Sequence, residues 1–171
     1  MSPHDPGSPG PDGARLRPLA PTDHADVLRL NQHNVEALAP MDEERLHQLG
    51  RWADRFDVLE VDGAFAGFVV TFGPGSAYDS ENYRWFHDRY GDRFYYLDRI
   101  VLEPHLRRRG LGGFVYAEVE ATAVPRERLA LEVNLVPRND ASLAFHAGRG
   151  YAEVGRLGDD THLVSLMTKE L

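Results

Sequence analysis

The sequence predicts one mixed α/β domain of about seven strands and about four helices. Three observations carry that expectation. The apolar pattern switches repeatedly between period 2 and period 3.6 along the chain. At 171 residues, with 42% hydrophobic and 27% charged side chains, the chain can bury roughly 70% of its unfolded surface without a staple. Neither a linker nor an internal repeat divides it.

The elements follow in order. Residues 1–13 hold Pro3, Pro6, Pro9, Pro11, Gly7, Gly10 and Gly13 with almost nothing apolar, the composition of a disordered tail. Residues 14–171 then form the domain. Arg15–Leu19 alternates like a short strand, and Thr22 or Asp23 stands where a helix through Val27, Leu28, Leu30 and Val35 would be capped. Pro40 breaks that pattern, and Asp42–Trp52 restarts it with Leu46, Leu49 and Trp52 at helical spacing. Val58–Val61, the Asp62-Gly63 turn and Ala64–Phe72 read as a hairpin. The stretch Tyr78–Tyr90 mixes aromatic and polar residues without clean periodicity, which suggests a substrate-facing segment. Phe94–Leu102 reads as a central strand, Gly110–Val124 as a helix, Leu129–Val133 as a strand and Asp140–Ala147 as a helix. Strands at Tyr151–Arg156 and His162–Met167 close the chain.

Composition narrows the function. Without cysteine there is no disulfide, thiolate metal ligand or cysteine nucleophile, which suits a cytoplasmic address. A formal charge of −8 argues against nucleic-acid or anionic-membrane partners, since both ask for a basic surface. No apolar run has the length of a membrane helix, and the N-terminus lacks a signal-peptide pattern.

The most specific segment is Ile100-Val101-Leu102-Glu103-Pro104-His105-Leu106-Arg107-Arg108-Arg109-Gly110-Leu111-Gly112-Gly113. An apolar strand ends at Pro104, and glycines then open a helix whose first N–H groups lack internal partners, a geometry suited to a diphosphate. The phosphate-loop pattern fails because no Lys-Ser or Lys-Thr follows. The dinucleotide fingerprint fails because Val115 or Tyr116 stands where its third glycine should. A solvated arginine cluster at a helix start remains the plain alternative, and three consecutive arginines could also suggest RNA, which the net charge disfavours.

This segment resembles the Arg/Gln-x-x-Gly-x-Gly/Ala hallmark of the GNAT superfamily of N-acetyltransferases, with Arg107, Gly110 and Gly112 at its fixed positions. Pro104 occupies a place where proline is common in that family. The resemblance covers roughly residues 14–170. It implies a single acetyltransferase domain built on a central, mostly antiparallel, twisted sheet, with acetyl-CoA as co-substrate and no metal. It further implies that the backbone of Ile100, Val101 and Leu102 pairs with the pantetheine arm. The pyrophosphate would sit on Arg107, Arg108, Arg109, Gly110, Leu111, Gly112 and Gly113.

Two residues carry the expected chemistry. Glu132 is a lone carboxylate in the strand Leu129–Asn134. Burial there would raise its pKa toward that of a working base, whereas placement on the solvated face would leave it ordinary. Some GNAT enzymes have a catalytic Glu in a Leu-Glu-Val context on this strand, which favours Glu132 as general base. Downstream, Asn139–Tyr151 resembles the family's Asn-x-x-Ala/Ser-x-x-Leu-Tyr-x-x-x-Gly-Phe segment. That implies CoA contacts for Asn139 and Ser142 and puts His146 where the family has its tyrosine acid. Imidazolium can donate a proton as a phenol does, so His146 is the candidate acid, with a structural histidine as the alternative.

Tyr78 with Ser80, Asn82, Tyr83, Trp85 and Phe86, Asp98–Val101, Glu132–Asn134 and Phe145-His146 are similar to signatures in a bacterial branch of largely uncharacterised predicted GNAT acetyltransferases. Candidate substrate-binding residues are Tyr78, Tyr83, Trp85, Asp98 and Asn134. An excess of acid between residues 76 and 98 suits a cationic amine, and Asp98 and Arg99 are expected to pair with each other. The leading reading is transfer of acetyl from acetyl-CoA to a primary amine of a small molecule or peptide, with a homodimer left open. The competing readings are a non-catalytic acyl-CoA-binding sensor or interaction module of the same fold, and a phosphate or nucleotide binder at Gly110–Gly112.

Overall fold

The computed structural model describes residues 8–171. Its elements are β1 (Arg15–Pro18), α1 (His24–His33), α2 (Glu43–Trp52), β2 (Arg55–Val61), β3 (Ala64–Phe72), α3 (Glu81–Tyr90), β4 (Tyr95–Leu102), α4 (Leu111–Ala123), β5 (Arg128–Val136), α5 (Asp140–Gly148), β6 (Ala152–Gly158) and β7 (Leu163–Glu170). The strands form one sheet in the order β1-β2-β3-β4-β5-β7-β6. Every neighbouring pair is antiparallel except β4 and β5. The mixed α/β fold with a seven-stranded, mostly antiparallel sheet is therefore as the sequence implies.

Strand alternation sends successive side chains to opposite faces, so the sheet carries two cores. On one face Leu59, Val69, Tyr95, Leu97, Leu129, Leu131 and Val133 pack with Leu111, Val115, Tyr116 and Val119 of α4. On the other, Val58, Phe68, Val70, Phe72, Tyr96 and Ala130 pack with α1, α2 and α3 through Val27, Leu30, Leu46, Leu49, Tyr83 and Phe86. No helix among the described residues is long and apolar enough to cross a membrane.

The helix count departs from expectation. Five α-helices are present among the described residues, because residues 81–90 of the segment read as irregular form α3. Ser80 caps it, its side chain accepting from the Tyr83 N–H at 3.2 Å, and Gly91 ends it at φ 65°. Tyr83 and Phe86 are buried on one side, while Trp85 packs on Gly155 of β6, where a Cβ would stand 2.6 Å from the indole. Aromatics bury against different neighbours, which hides the helical period.

The N-terminal segment departs as well. Residues 1–7 of the expected tail lie outside the described residues, but residues 8–13 make defined contacts. The Gly10 N–H donates to the Ala14 carbonyl at 2.7 Å, and Pro11–Gly13 form a 3₁₀ turn. Gly10 lies flat on the Phe114 ring of α4, where an added Cβ would approach to 2.6 Å, and Pro11 sits beside Gly110. The segment has no large apolar side chain, yet glycine backbone and proline rings are themselves apolar surface for an aromatic to cover.

A side chain at Gly10 cannot coexist with that contact. Gly10→Val is therefore expected to lower the melting temperature by about 2–4 °C through overpacking or detachment. A melting curve superimposable on that of the unsubstituted protein would show that residues 8–13 contribute nothing to stability.

Candidate active site

β4 and β5 pair only through Tyr95↔Leu129 and Tyr96↔Ala130, and beyond these the two parallel strands part. The gap opens two connected spaces. A cavity of about 770 Å³ is lined by Tyr78, Asp98, Glu132, Asn134 and the loop Val35–Ala39 among others. A groove of about 540 Å³ runs along Ile100, Val101 and Leu102 to Arg107, Arg108, Gly110, Gly112 and Gly113. Ile100, Tyr116, Ser142 and His146 border both.

The groove's end is shaped for an anion. Arg108 at φ 64° and Gly110 at φ 78° turn the chain sharply into α4, whose first N–H groups have no acceptor within the helix. A Cβ on Gly112 would meet nothing closer than Leu102 Cδ1 at 3.9 Å, and one on Gly113 nothing closer than Arg149 Nη1 at 3.7 Å. The protein's own packing thus does not demand these glycines, and the space they leave is open to a ligand. A diphosphate on exposed backbone amides fits this cradle. Arg107 donates to Asn34 Oδ1 at 3.2 Å. Arg109 and Leu111 do not line the groove: Arg109 is exposed, and the Leu111 side chain is buried in the core under α4. Of the expected contacts, theirs can come from the backbone alone.

Glu132 lies on the cavity floor, on the face of β5 that Ala130 shares. The Tyr96 hydroxyl donates to its Oε2 at 2.5 Å. Burial, reinforced by the charge of Asp98, pushes its pKa up to about 8, against the opposing pull of the Tyr96 and Asn82 hydrogen bonds and of Arg99. Asp98 is the residue left over where the β3–β4 register shifts between Val70↔Arg99 and Thr71↔Leu97, and such a bulge re-aims a side chain. Arg99 Nε donates to Asp98 Oδ2 at 2.6 Å, and the Tyr78 hydroxyl to Asp98 Oδ1 at 2.6 Å. Arg99 also donates from Nη1 to Asn31 Oδ1 at 3.0 Å and to the Ala39 carbonyl at 3.2 Å. The Asp98–Arg99 pair expected from sequence is thus present, tying the α1–α2 loop to β4.

His146 is buried. Its Nδ1 lies 2.7 Å from the Ser142 carbonyl oxygen, which can only accept, so Nδ1 carries the proton. Nε2 is 2.6 Å from the Tyr116 hydroxyl, and in a neutral ring it accepts from that phenol. Burial lowers the His146 pKa and raises that of Tyr116.

The other expected residues divide. Tyr78, Asp98 and Asn134 line the cavity. Tyr83 and Trp85 do not: Tyr83 is in the core, its hydroxyl donating to the Gly73 carbonyl at 2.8 Å, and Trp85 covers Gly155. Asn139 borders the cavity, but its Oδ1 caps α5 by accepting from the Ser142 N–H at 3.1 Å. Sequence reasoning missed Tyr96, Asn82 and Tyr116. Tyr116 had a readable signal, since it follows Gly112 and Gly113 by four and three residues and so shares their helix face.

The profile of the acetyltransferase (GNAT) family matches residues 24–151. No curated protein sequence matches the chain. Solved structures share the fold. Ard1 from Thermoplasma volcanium superimposes with a TM-score of 0.72 at 18% identity, covering 92% of this chain and 97% of that one. Ribosomal-protein-alanine N-acetyltransferase from Brucella melitensis gives 0.66 at 24%, covering 92% and 99%. The yncA protein from Salmonella typhimurium, solved with its cofactor acetyl-CoA, gives 0.67 at 17%, covering 92% and 94%.

The raised Glu132 pKa has a stability consequence. Its folded value of about 8 exceeds the ordinary 4.5, so its contribution is fully present below the ordinary value and is lost as pH rises toward the folded one. Glu132→Gln removes the titration. Between about pH 5 and about pH 9 the melting temperature of the unsubstituted protein should fall relative to that of Glu132→Gln. Parallel curves would mean that the carboxylate ionises normally.

Proposed function

The chain belongs to the GNAT acetyltransferase family, and from that membership we propose that it transfers the acetyl group of acetyl-CoA to a primary amine of a small molecule or peptide. The observation that carries this reading is Glu132, a carboxylate held at a pKa of about 8 where the strands part. Acetyl-CoA, when bound, supplies an acetyl group activated as a thioester. Ile100–Leu102 and the glycine cradle are the residues that would hold it.

An amine reaches the cavity as ammonium and must lose a proton to become a nucleophile. Glu132 Oε1 or Oε2 takes that proton, directly or through water, and a pKa near neutrality lets it do so and release it again. The acceptor's charge follows from the same wall. Arg45 is neutralised by Asp79 at 2.6 Å and Arg99 by Asp98 at 2.6 Å, and Glu132 and Glu36 are the acids lining the cavity that stand outside these two ion pairs.

Tyr116 fits the acid role better than His146 does. Glu132 deprotonates near 8, while His146 loses its proton below the ordinary 6.5. Burial thus acts against a form that holds carboxylate and imidazolium together. The Tyr116 phenol stays protonated throughout and borders both spaces. Tyr116 Oη is the proton donor toward the leaving group: its O–H, which rests on His146 Nε2, turns to the departing sulfur, and the phenolate then recovers a proton from solvent.

The sensor reading would need the cradle but no raised carboxylate, and Glu132 therefore favours the enzyme. Thiol release from acetyl-CoA across a panel of amines tests the proposal. Glu132→Gln should lower kcat by about 10²- to 10⁴-fold with CoA binding retained, and Tyr116→Phe by about 10²-fold or more. The unsubstituted enzyme's rate should rise with pH through about 8, where Glu132 becomes carboxylate. A falling rate over that range, or the unsubstituted enzyme's rate in either variant, would remove these assignments. Gly112→Val should leave melting unchanged, because its side chain meets only distant Leu102, yet abolish the stabilisation that CoA gives. CoA stabilisation that survives in Gly112→Val would place the diphosphate elsewhere.

A further inference from the structure

Away from the cavity, α1 and α2 bring together three side chains that the proposed reaction does not use. His24 opens α1, and Glu43 and His47 stand four residues apart on α2, on one helix face. His24 Nδ1 is 2.9 Å from Glu43 Oε1, and His47 Nε2 is 3.4 Å from the same oxygen. The two imidazoles meet edge to face with centroids 5.3 Å apart. One donor atom from each residue lies within 4.8 Å of the others.

We propose that His24, Glu43 and His47 bind a divalent cation of the Zn²⁺ type that cross-links α1 to α2. Metal–ligand bonds of about 2.0–2.1 Å on a tetrahedron put neighbouring ligand atoms roughly 3.3–3.4 Å apart. The His47–Glu43 separation already has that value, and the His24–Glu43 hydrogen bond needs to open by about half an ångström, within the reach of side-chain rotation. Two imidazoles and one carboxylate select a borderline cation over Mg²⁺ or Ca²⁺, which prefer all-oxygen sets. The His24 side chain is 17% exposed, whereas Glu43 and His47 are each more than half exposed. The ion would therefore complete its shell with water.

Both helix N-termini disfavour a cation. Asp26 in the first turn of α1, and Asp42, Glu43 and Glu44 at the start of α2, supply opposing negative charge. None of the three ligands lines the acceptor cavity, so the ion's part is structural. It would clamp the helix pair whose connection, Val35–Ala39, walls that cavity and whose Arg45 reaches Asp79 at 2.6 Å. The sequence alone suggests no metal because His24 is 19 residues from Glu43, and Glu-x-x-x-His by itself is a common surface pair.

The test is thermal melting of the untagged full chain after treatment with a chelator, with ZnCl₂ or MgCl₂ added back. Zinc at saturating concentration should raise the melting temperature by about 5 °C and magnesium should not. His24→Ala and His47→Ala should each abolish the zinc effect. His24 is the first residue of α1 and His47 is more than half exposed, so the variants should fold, and their melting without metal verifies that. Cobalt(II) titration of the unsubstituted protein should give the visible absorption of a four-coordinate nitrogen and oxygen site, absent from both variants. No zinc stabilisation in the unsubstituted protein, or a zinc effect retained in either variant, overturns the assignment. The chain's other histidines would then account for whatever zinc it binds.

Discussion

The structure depends on the parting of two parallel strands. β4 and β5 share two residue pairs and then separate, so the backbone of Ile100–Leu102 has no β5 partner on the side where the groove runs. Unpaired backbone groups need water or a ligand, and this opening supplies a row of them at the core of the sheet. The same divergence uncovers the face of Glu132 that a continuous ladder would bury. One topological event thus creates the groove, the cavity and the open side of Glu132.

Buried charge along that opening is arranged in pairs. Asp98 projects from a bulge and is satisfied by Arg99 and Tyr78, and Arg99 continues to Asn31 and Ala39. A buried pair of this kind contributes little net stability but is costly to break by removing one partner. Its position accounts for its presence: the chain of contacts fixes the α1–α2 loop relative to β4 and leaves a negative Asp98 close enough to raise Glu132 further. Glu132 itself has neutral hydrogen-bond partners in Tyr96 and Asn82 rather than a salt bridge, which would have held its pKa down.

Much of this was legible in sequence, for identifiable reasons. The strands β2 to β5 carry apolar runs bounded by turns, and Arg107–Gly113 combines the backbone freedom and helix start that an anion site needs. Residues 81–90 were opaque because Tyr83 and Phe86 pack inward while Trp85 covers Gly155, so no single apolar stripe marks the helix. The docking of residues 8–13 was opaque because Gly10 contributes backbone surface, which no hydropathy pattern registers. The Tyr116–His146 contact joins residues 30 apart, a separation on which local pattern is silent.

His146 is held in place rather than left free to titrate. In α5 the ring is fixed at both nitrogens, by the Ser142 carbonyl at Nδ1 and the Tyr116 phenol at Nε2. A histidine free to titrate near neutrality would compete with Glu132 for protons, since the two groups would exchange one proton across the same cavity. Burial settles that competition by lowering the ring's pKa while raising that of the carboxylate. In the proposed reaction a proton taken from an ammonium would therefore stay on Glu132 until solvent collects it. Burial raises the Tyr116 pKa, so in the proposed reaction the phenol carries its proton in the resting site, and its acidic role is separate from the basic role of Glu132.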